Sequence, residues 1–160
     1  MKKMICLVLI LFSSLGFSQS DNYNMMLKEL KVINSEYRSE YEKNPLIKEV
    51  LDKTMKYRLD PKLGKNEFVS KNEKQGLTDF ETLQDSRDKE TITVYEKYQS
   101  QKYVDMMVDY DNKRKELRIN LMNKRITWRQ FSDDLEDLII RNRSKESDFR
   151  DKKPVHSIVS

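Results

Sequence analysis

Residues 124–143, KRITWRQFSDDLEDLIIRNR, decide how this chain is read. They hold its only tryptophan, Trp128. Every local signal in the stretch names the start of a helix. Thr127 is a good N-cap, and Gln130 stands three residues on, the spacing of a reciprocal capping box. Ile126 and Phe131 occupy the two positions of a hydrophobic staple. Trp128, Phe131, Leu135, Leu138 and Ile139 then recur on one face. Asp133 and Asp134 lie early in the helix, Arg141 and Arg143 at its end, and both placements suit the helix dipole. Ile126, Thr127, Trp128, Gln130 and Phe131 therefore read as structural residues, with Trp128 an anchor rather than the edge of a site.

Working outward, Asn123, Lys124 and Arg125 form a short turn that folds this helix back on the one before it. The stretch KELRINLMNKRITWRQFSDDLEDLI, residues 115–139, resembles short C-terminal helical hairpin modules and small exported bacterial helical proteins. In these a Leu-rich helix, a turn and Ile-Thr-x-x-x-Phe/Tyr open the next helix. Those modules usually carry Gly in the turn, where this chain has Asn123 and Lys124. The resemblance implies a helical hairpin and no catalytic residue.

Upstream, residues 21–43 place Tyr23, Met26, Leu27, Leu30, Ile33, Tyr37 and Tyr41 on one helical face. Asn44-Pro45 ends that helix and opens another, because Pro is tolerated at the first helical position. Leu46, Ile47, Val50, Leu51 and Met55 stripe the second helix. Residues 60–76 lose the pattern, carry Pro61, Gly64 and Gly76, and read as a mobile surface linker. Thr78 and Glu81 have capping-box spacing, as do Thr93 and Glu96. Between about Ser86 and Lys124 there is neither Gly nor Pro. One long helix is expected there, roughly 55 Å at 1.5 Å per residue. From Ser144 the stripe is lost, and 144–160 read as a disordered tail.

The chain opens MKKMICLVLILFSSLGFSQS. Two lysines, an apolar run from Met4 to Phe12 and small residues after it are the layout of a secretory signal peptide. Cleavage near Ser18 is expected, and the ending SLGFSQ resembles Bacteroidota-type signal peptides. The run is short of the about 20 residues a membrane span needs, so no stable span remains after cleavage. Periplasm or secretion is the expected location. Cys6, the only cysteine, leaves with residues 1–18, so no disulfide is available. The expected organisation is a signal peptide over 1–18, a helical domain over 19–143 with the linker inside it, and the tail.

Charge excludes one partner class. Lys+Arg falls from 31 to 29 on removal of Lys2 and Lys3 while Asp+Glu stays 27, a mature net charge of +2. That balance and export both disfavour nucleic acid. The arginines are uneven: seven of ten fall between Arg114 and Arg150. Arg is the better carboxylate binder, so Arg114, Arg118, Arg125, Arg129, Arg141 and Arg143 are candidate partner-binding residues. Tyr98 joins them because it sits off the stripe of the long helix. Against this stands the plainer reading of a solvated helix face. The remaining tyrosines read either as an aromatic binding surface or as packing with hydroxyls at the rim.

Catalytic inventory is thin. His156, the only histidine, lies in the tail, so neither a triad nor a His-based zinc site can be assembled. Asp109, Asp111 and Asn112 start like a calcium loop, but Lys113 and Arg114 follow and no Gly does. Asp133, Asp134, Glu136 and Asp137 read as first-turn acids rather than a metal site. No catalytic residue, cofactor or metal is expected. With 37% apolar and 36% charged residues the core must be thin, and the absence of alanine keeps helices apart. The fold expected is all-α: an extended bundle or hairpin of three to five helices, one of them long. The function expected is a non-enzymatic interaction protein that binds a protein of the cell envelope, or itself, through helix surfaces. The alternative is a periplasmic holdase-type chaperone.

Overall fold

The computed structural model describes the backbone of residues 2–60, 62–63 and 65–151, and the side chains of 21–60, 62–63 and 65–149. Five helices follow one another, and no strand occurs among the described residues. They are α1 (Lys2–Lys43), α2 (Pro45–Leu59), α3 (Lys71–Tyr98), α4 (Gln101–Met122) and α5 (Trp128–Asp151). Side chains of the expected signal peptide, and His156 with the rest of 152–160, lie outside the described residues.

The α1–α2 joint forms as its residues dictate. Asn44 caps α2 through its side-chain oxygen, which accepts from Leu46 and Ile47 N–H at 3.0 and 3.2 Å, and Pro45 takes the first turn. The α2–α3 connection is shorter than expected. Ser70 and Glu73 make a full capping box: Glu73 N–H donates to Ser70 Oγ at 3.3 Å, and Ser70 N–H to Glu73 Oε2 at 2.7 Å. Helix α3 therefore begins at Lys71, inside the stretch read as linker. Thr78 and Thr93 are not caps. Their hydroxyls donate to the carbonyls of Lys74 and Lys89, one turn back inside α3.

The long helix expected over 86–124 is two helices. Gln99 leaves the helical conformation, and Ser100 caps α4 by accepting from Tyr103 N–H at 3.4 Å. Ser and Gln stop a helix here without Gly or Pro, because the serine offers the backbone an alternative partner. Helix α5 begins at Trp128 as the Thr127–Gln130 box requires: Thr127 N–H donates to Gln130 Oε1 at 2.9 Å, and Gln130 N–H to Thr127 Oγ1 at 3.3 Å. It continues past Arg143 to Asp151, so 144–151 are helix rather than tail. The reason is packing at its far end, where the Phe149 ring meets Tyr103 edge-on at 5.6 Å.

The turn before α5 is closed by Lys124 in the left-handed region, φ 56°. Lys124 N–H donates to Leu121 O and Arg125 N–H to Asn120 O, the bonding of a Schellman cap. A side chain there carries a steric cost that glycine lacks. Lys124→Gly is expected to stabilise the protein by about 0.5–1 kcal/mol, after glycine's larger unfolded-state entropy is subtracted. A fall in the urea midpoint would contradict this cap geometry.

Helices α2 and α3 approach closely at one small residue. A Cβ on Gly76 would stand 2.5 Å from Leu46 O and 2.9 Å from its carbonyl carbon. Gly76, read as a linker residue, is thus a helix-contact residue in a chain without alanine. Two effects compete in Gly76→Ala. Helix propensity favours Ala by about 1 kcal/mol, while overpacking against a backbone carbonyl costs about 1–3. The upper part of that range applies because backbone cannot swing aside, and a net loss of up to about 2 kcal/mol is expected by thermal unfolding.

The packing order positions everything that follows. α3 packs on α1, α2 and α4, while α5 packs on α4 and α2. At one end α2, α3, α4 and α5 close a four-helix ring. At the other, α1, α3, α4 and α5 form an open row, because α1 meets neither α4 nor α5 among the described residues. The main core fills the ring: Val50, Tyr57, Val69, Leu77, Leu121, Trp128 and Phe131. A smaller cluster of Met26, Ile33 and Val94 holds α1 to α3.

Candidate functional site

Trp128 is fully buried and answers to three segments. Its indole N–H donates to Glu73 Oε2 at 3.4 Å, and its backbone N–H to Glu67 O at 2.8 Å. Lys53 Nζ lies 5.1 Å from its ring centre and binds both Glu67 and Glu73. Tyr57 donates its hydroxyl to Glu67 and packs 5.9 Å from the indole. Burial pushes the Glu73 carboxyl up, but its bonds to Lys53 and Ser70 outweigh that and hold it below 4.5. Lys53 and Tyr57 hold Glu67 below 4.5 as well. Lys53, Tyr57 and Ser70 occupy both carboxylates, so this cluster fastens the α2–α3 connection to α5.

The arginines divide into two groups, and half of the candidate surface is corrected. Arg118 is buried and forks onto Glu81. Arg114 binds Asp88 at 3.3 Å and also Asp111, and Lys115 binds Asp85 at 2.6 Å. These pairs form a ladder between α3 and α4. Arg129 turns inward too, donating to Tyr57 O at 2.6 Å and Asp60 O at 3.2 Å. Arg114, Arg118 and Arg129 are interior ties, because acids and carbonyls far away in the chain meet them. Arg125, Arg141 and Arg143 are exposed.

Tyr98 is also corrected. Its hydroxyl donates to Glu29 at 2.6 Å, and its ring packs against the Met26–Ile33–Val94 cluster. Tyr37 and Tyr41 likewise reach α3, donating to Glu90 at 2.8 Å and Gln84 at 3.2 Å. Tyr95 and Tyr103 meet edge-on at 5.3 Å. Three of the four acids of early α5 are spent on cations: Arg129 holds Asp133, Arg58 holds Glu136 at 2.6 Å, and Arg141 holds Asp137 at 3.5 Å. Among the described residues no group of three or more His, Cys, Asp or Glu side chains could hold a metal ion.

The feature left unpartnered is an apolar surface on the solvent side of the α2–α5 seam. Leu51, Met55 and Leu59 lie on successive turns along one flank of α2. Met55 is 50% and Leu59 79% exposed. Opposite them, Glu136, Ile140 and Arg143 share a flank of α5, and Ile140 is 57% exposed. The Arg58–Glu136 pair shows that the two flanks face each other. Arg143 makes no ion pair among the described residues. Helical spacing alone carries the two rows, but their juxtaposition needed the Arg58–Glu136 pairing across the chain, which sequence does not display. No family model matches this chain, and no curated protein and no solved structure matches it either.

Proposed function

We propose that this protein is a non-enzymatic, exported interaction protein whose partner docks on the solvent side of the α2–α5 seam. The carrying observation is the pair of facing rows, each with a large exposed apolar side chain and Arg143 on the rim. Isolated exposed apolar residues need no explanation, whereas exposed apolar side chains gathered from two packed helices along one seam mark an interaction surface. The partner that fits is an amphipathic helix of a cell-envelope protein, with an apolar stripe for Met55, Leu59 and Ile140 and a carboxylate for Arg143. Export rests on the layout of residues 1–18. Among the described residues no helix is long and apolar enough to cross a membrane.

The test pairs the wild-type chain with a Met55→Asp, Ile140→Asp double variant. Both positions are solvent-facing, so the variant should melt within about 0.5 kcal/mol of the parent per site. Tagged wild-type protein is expected to retain one stoichiometric partner from its own cell envelope, and the variant to lose it at least tenfold. Equal retention by both would overturn the surface. A second copy as the retained species would make the interaction self-association. Many substoichiometric envelope proteins, with suppressed aggregation of an unfolded outer-membrane protein, would make it a chaperone. Turnover abolished by a single carboxylate change would refute the non-enzymatic reading.

A further inference from the structure

The closed end of the bundle gathers the α2–α3 connection, the start of α3 and the α4–α5 turn. Two contacts bring these segments together. Glu67 O accepts from the Trp128 N–H at 2.8 Å, which lays the connection across the start of α5. The Thr78 hydroxyl lies 3.7 Å from Met122 Sδ, which sets the first two turns of α3, with Lys71 and Lys74, beside the 123–126 turn. Lys62, Lys65, Lys71, Lys74, Lys124 and Arg125 are all exposed at this end. None of them makes an ion pair among the described residues. The acids nearby are taken: Lys53 binds Glu67 and Glu73, and Asp60 accepts from the Lys62 backbone N–H at 2.9 Å. Residues 60–75 and 122–130 hold seven basic and three acidic side chains, a net of +4. Residues 19–160 carry +2 in total, so the rest of the mature chain is −2 and the molecule is polarised. Phe68, next to the Glu67 tie, is 48% exposed among these cations.

We propose that this end is a peripheral membrane-binding surface, which takes the anionic headgroups of a phospholipid bilayer and sets Phe68 into the interface. Three observations choose that ligand. The first is charge complementarity: six cations without carboxylate partners attract anionic lipid, each strengthening binding about fivefold. The second is residue type. Five of the six are lysines, compact charges on flexible stems, which suit a plane of mobile headgroups. An acidic protein face would instead favour the rigid bidentate fork of arginine. The third is layout. The cations come from three segments spread over one end of the molecule, which a flat charged surface meets together and a single small anion does not. Phe68 adds the apolar contact that an interfacial element needs beside its charges. This surface shares no residue with the α2–α5 seam, so it stands whether or not that docking occurs.

The test is flotation of the exported protein, purified as the cell processes it, with two kinds of vesicle. One kind is phosphatidylethanolamine with one-third phosphatidylglycerol, the other phosphatidylcholine alone. Binding to the first is expected, with an affinity that falls as salt rises, and little binding to the second. Lys62→Gln, Lys65→Gln and Lys74→Gln combined are expected to weaken it about 100-fold, from about fivefold at each position. Phe68→Ser is expected to weaken it about three- to tenfold, the worth of burying half of a Phe side chain. Lys28→Gln, Lys31→Gln and Lys48→Gln combined make the same change in net charge at exposed lysines elsewhere. That control is expected to bind within about threefold of the parent, because charges beyond a Debye length are screened. All six lysines are exposed, so both triple variants should fold like the parent. No binding to the anionic vesicles, or equal binding to phosphatidylcholine, would overturn the surface. An equal loss in the control triple would overturn its location. Release by phosphate beyond that by chloride of equal ionic strength would overturn the bilayer in favour of a discrete anion site. Retention of an acidic envelope protein in place of vesicles would overturn it in favour of a protein contact.

Discussion

Trp128→Ala is expected to cost about 3–5 kcal/mol, the range for truncating a fully buried aromatic. A domain of this size has about 5–15 kcal/mol in total, so the variant loses about a fifth of its stability or more. Two losses add. The void opens between Tyr57 and Phe131, whose rings lie 5.9 Å from the indole on either side. Glu73 also loses a donor in a place where it is 6% exposed. Urea unfolding should show a lower midpoint with an unchanged slope. Trp128→Phe should recover most of the packing and none of the hydrogen bond. A Trp128→Ala protein that melts like the parent yet loses a partner would make the tryptophan part of a site.

Lys53→Met is expected to cost about 3 kcal/mol, the low end for breaking a buried ion pair from one side. The low end applies because the Lys53 side chain is 17% exposed. The Glu73 side chain, 7% exposed, would be left facing Glu67 with no cation between them. The pH dependence has a definite sign. In the parent the Glu73 carboxyl is held below 4.5. The cluster therefore contributes fully above that value, and its contribution is lost as pH falls through the lowered folded value. In the variant burial acts on Glu73 without Lys53, and its carboxyl rises instead. The difference between parent and variant should be full at neutral pH and shrink on acidification toward 4.5. A difference that grows on acidification would contradict the assignment of Lys53 to Glu73. Burial disfavours the charged lysine, but Glu67 and Glu73 outweigh it and raise Lys53 above 10.5. Its part in the cluster is present below 10.5 and lost as pH climbs above it.

Legibility followed the range of the interactions. The Thr127–Gln130 box, the Ile126–Phe131 staple and the Asn44–Pro45 joint each lie within a few residues, and each is present. All-helical character was legible for the same reason. The Ser70–Glu73 box was equally local but was hidden by Gly76, which reads as a loop residue until Leu46 is seen against it. The break at Gln99 and Ser100 was missed because only half of a capping box marks it. The end of α5 was legible in retrospect: Leu135, Asn142 and Phe149 are seven residues apart and continue the buried stripe. The arginines were not legible. Whether Arg118 meets solvent or Glu81 depends on a residue 37 positions away. The same holds for Tyr98 and Glu29, and for the flank of α5 that Arg58 identifies.

The central claim is that the facing flanks of α2 and α5 are an interaction surface. Photo-cross-linking in the living cell tests it most directly, with p-benzoylphenylalanine placed at Ile140, at Met55 and, as a control on the α3–α4 face, at Asn112. One adduct of defined mass is expected from both Ile140 and Met55 and none from Asn112. Adducts from Asn112 with none from Ile140 or Met55 would contradict it.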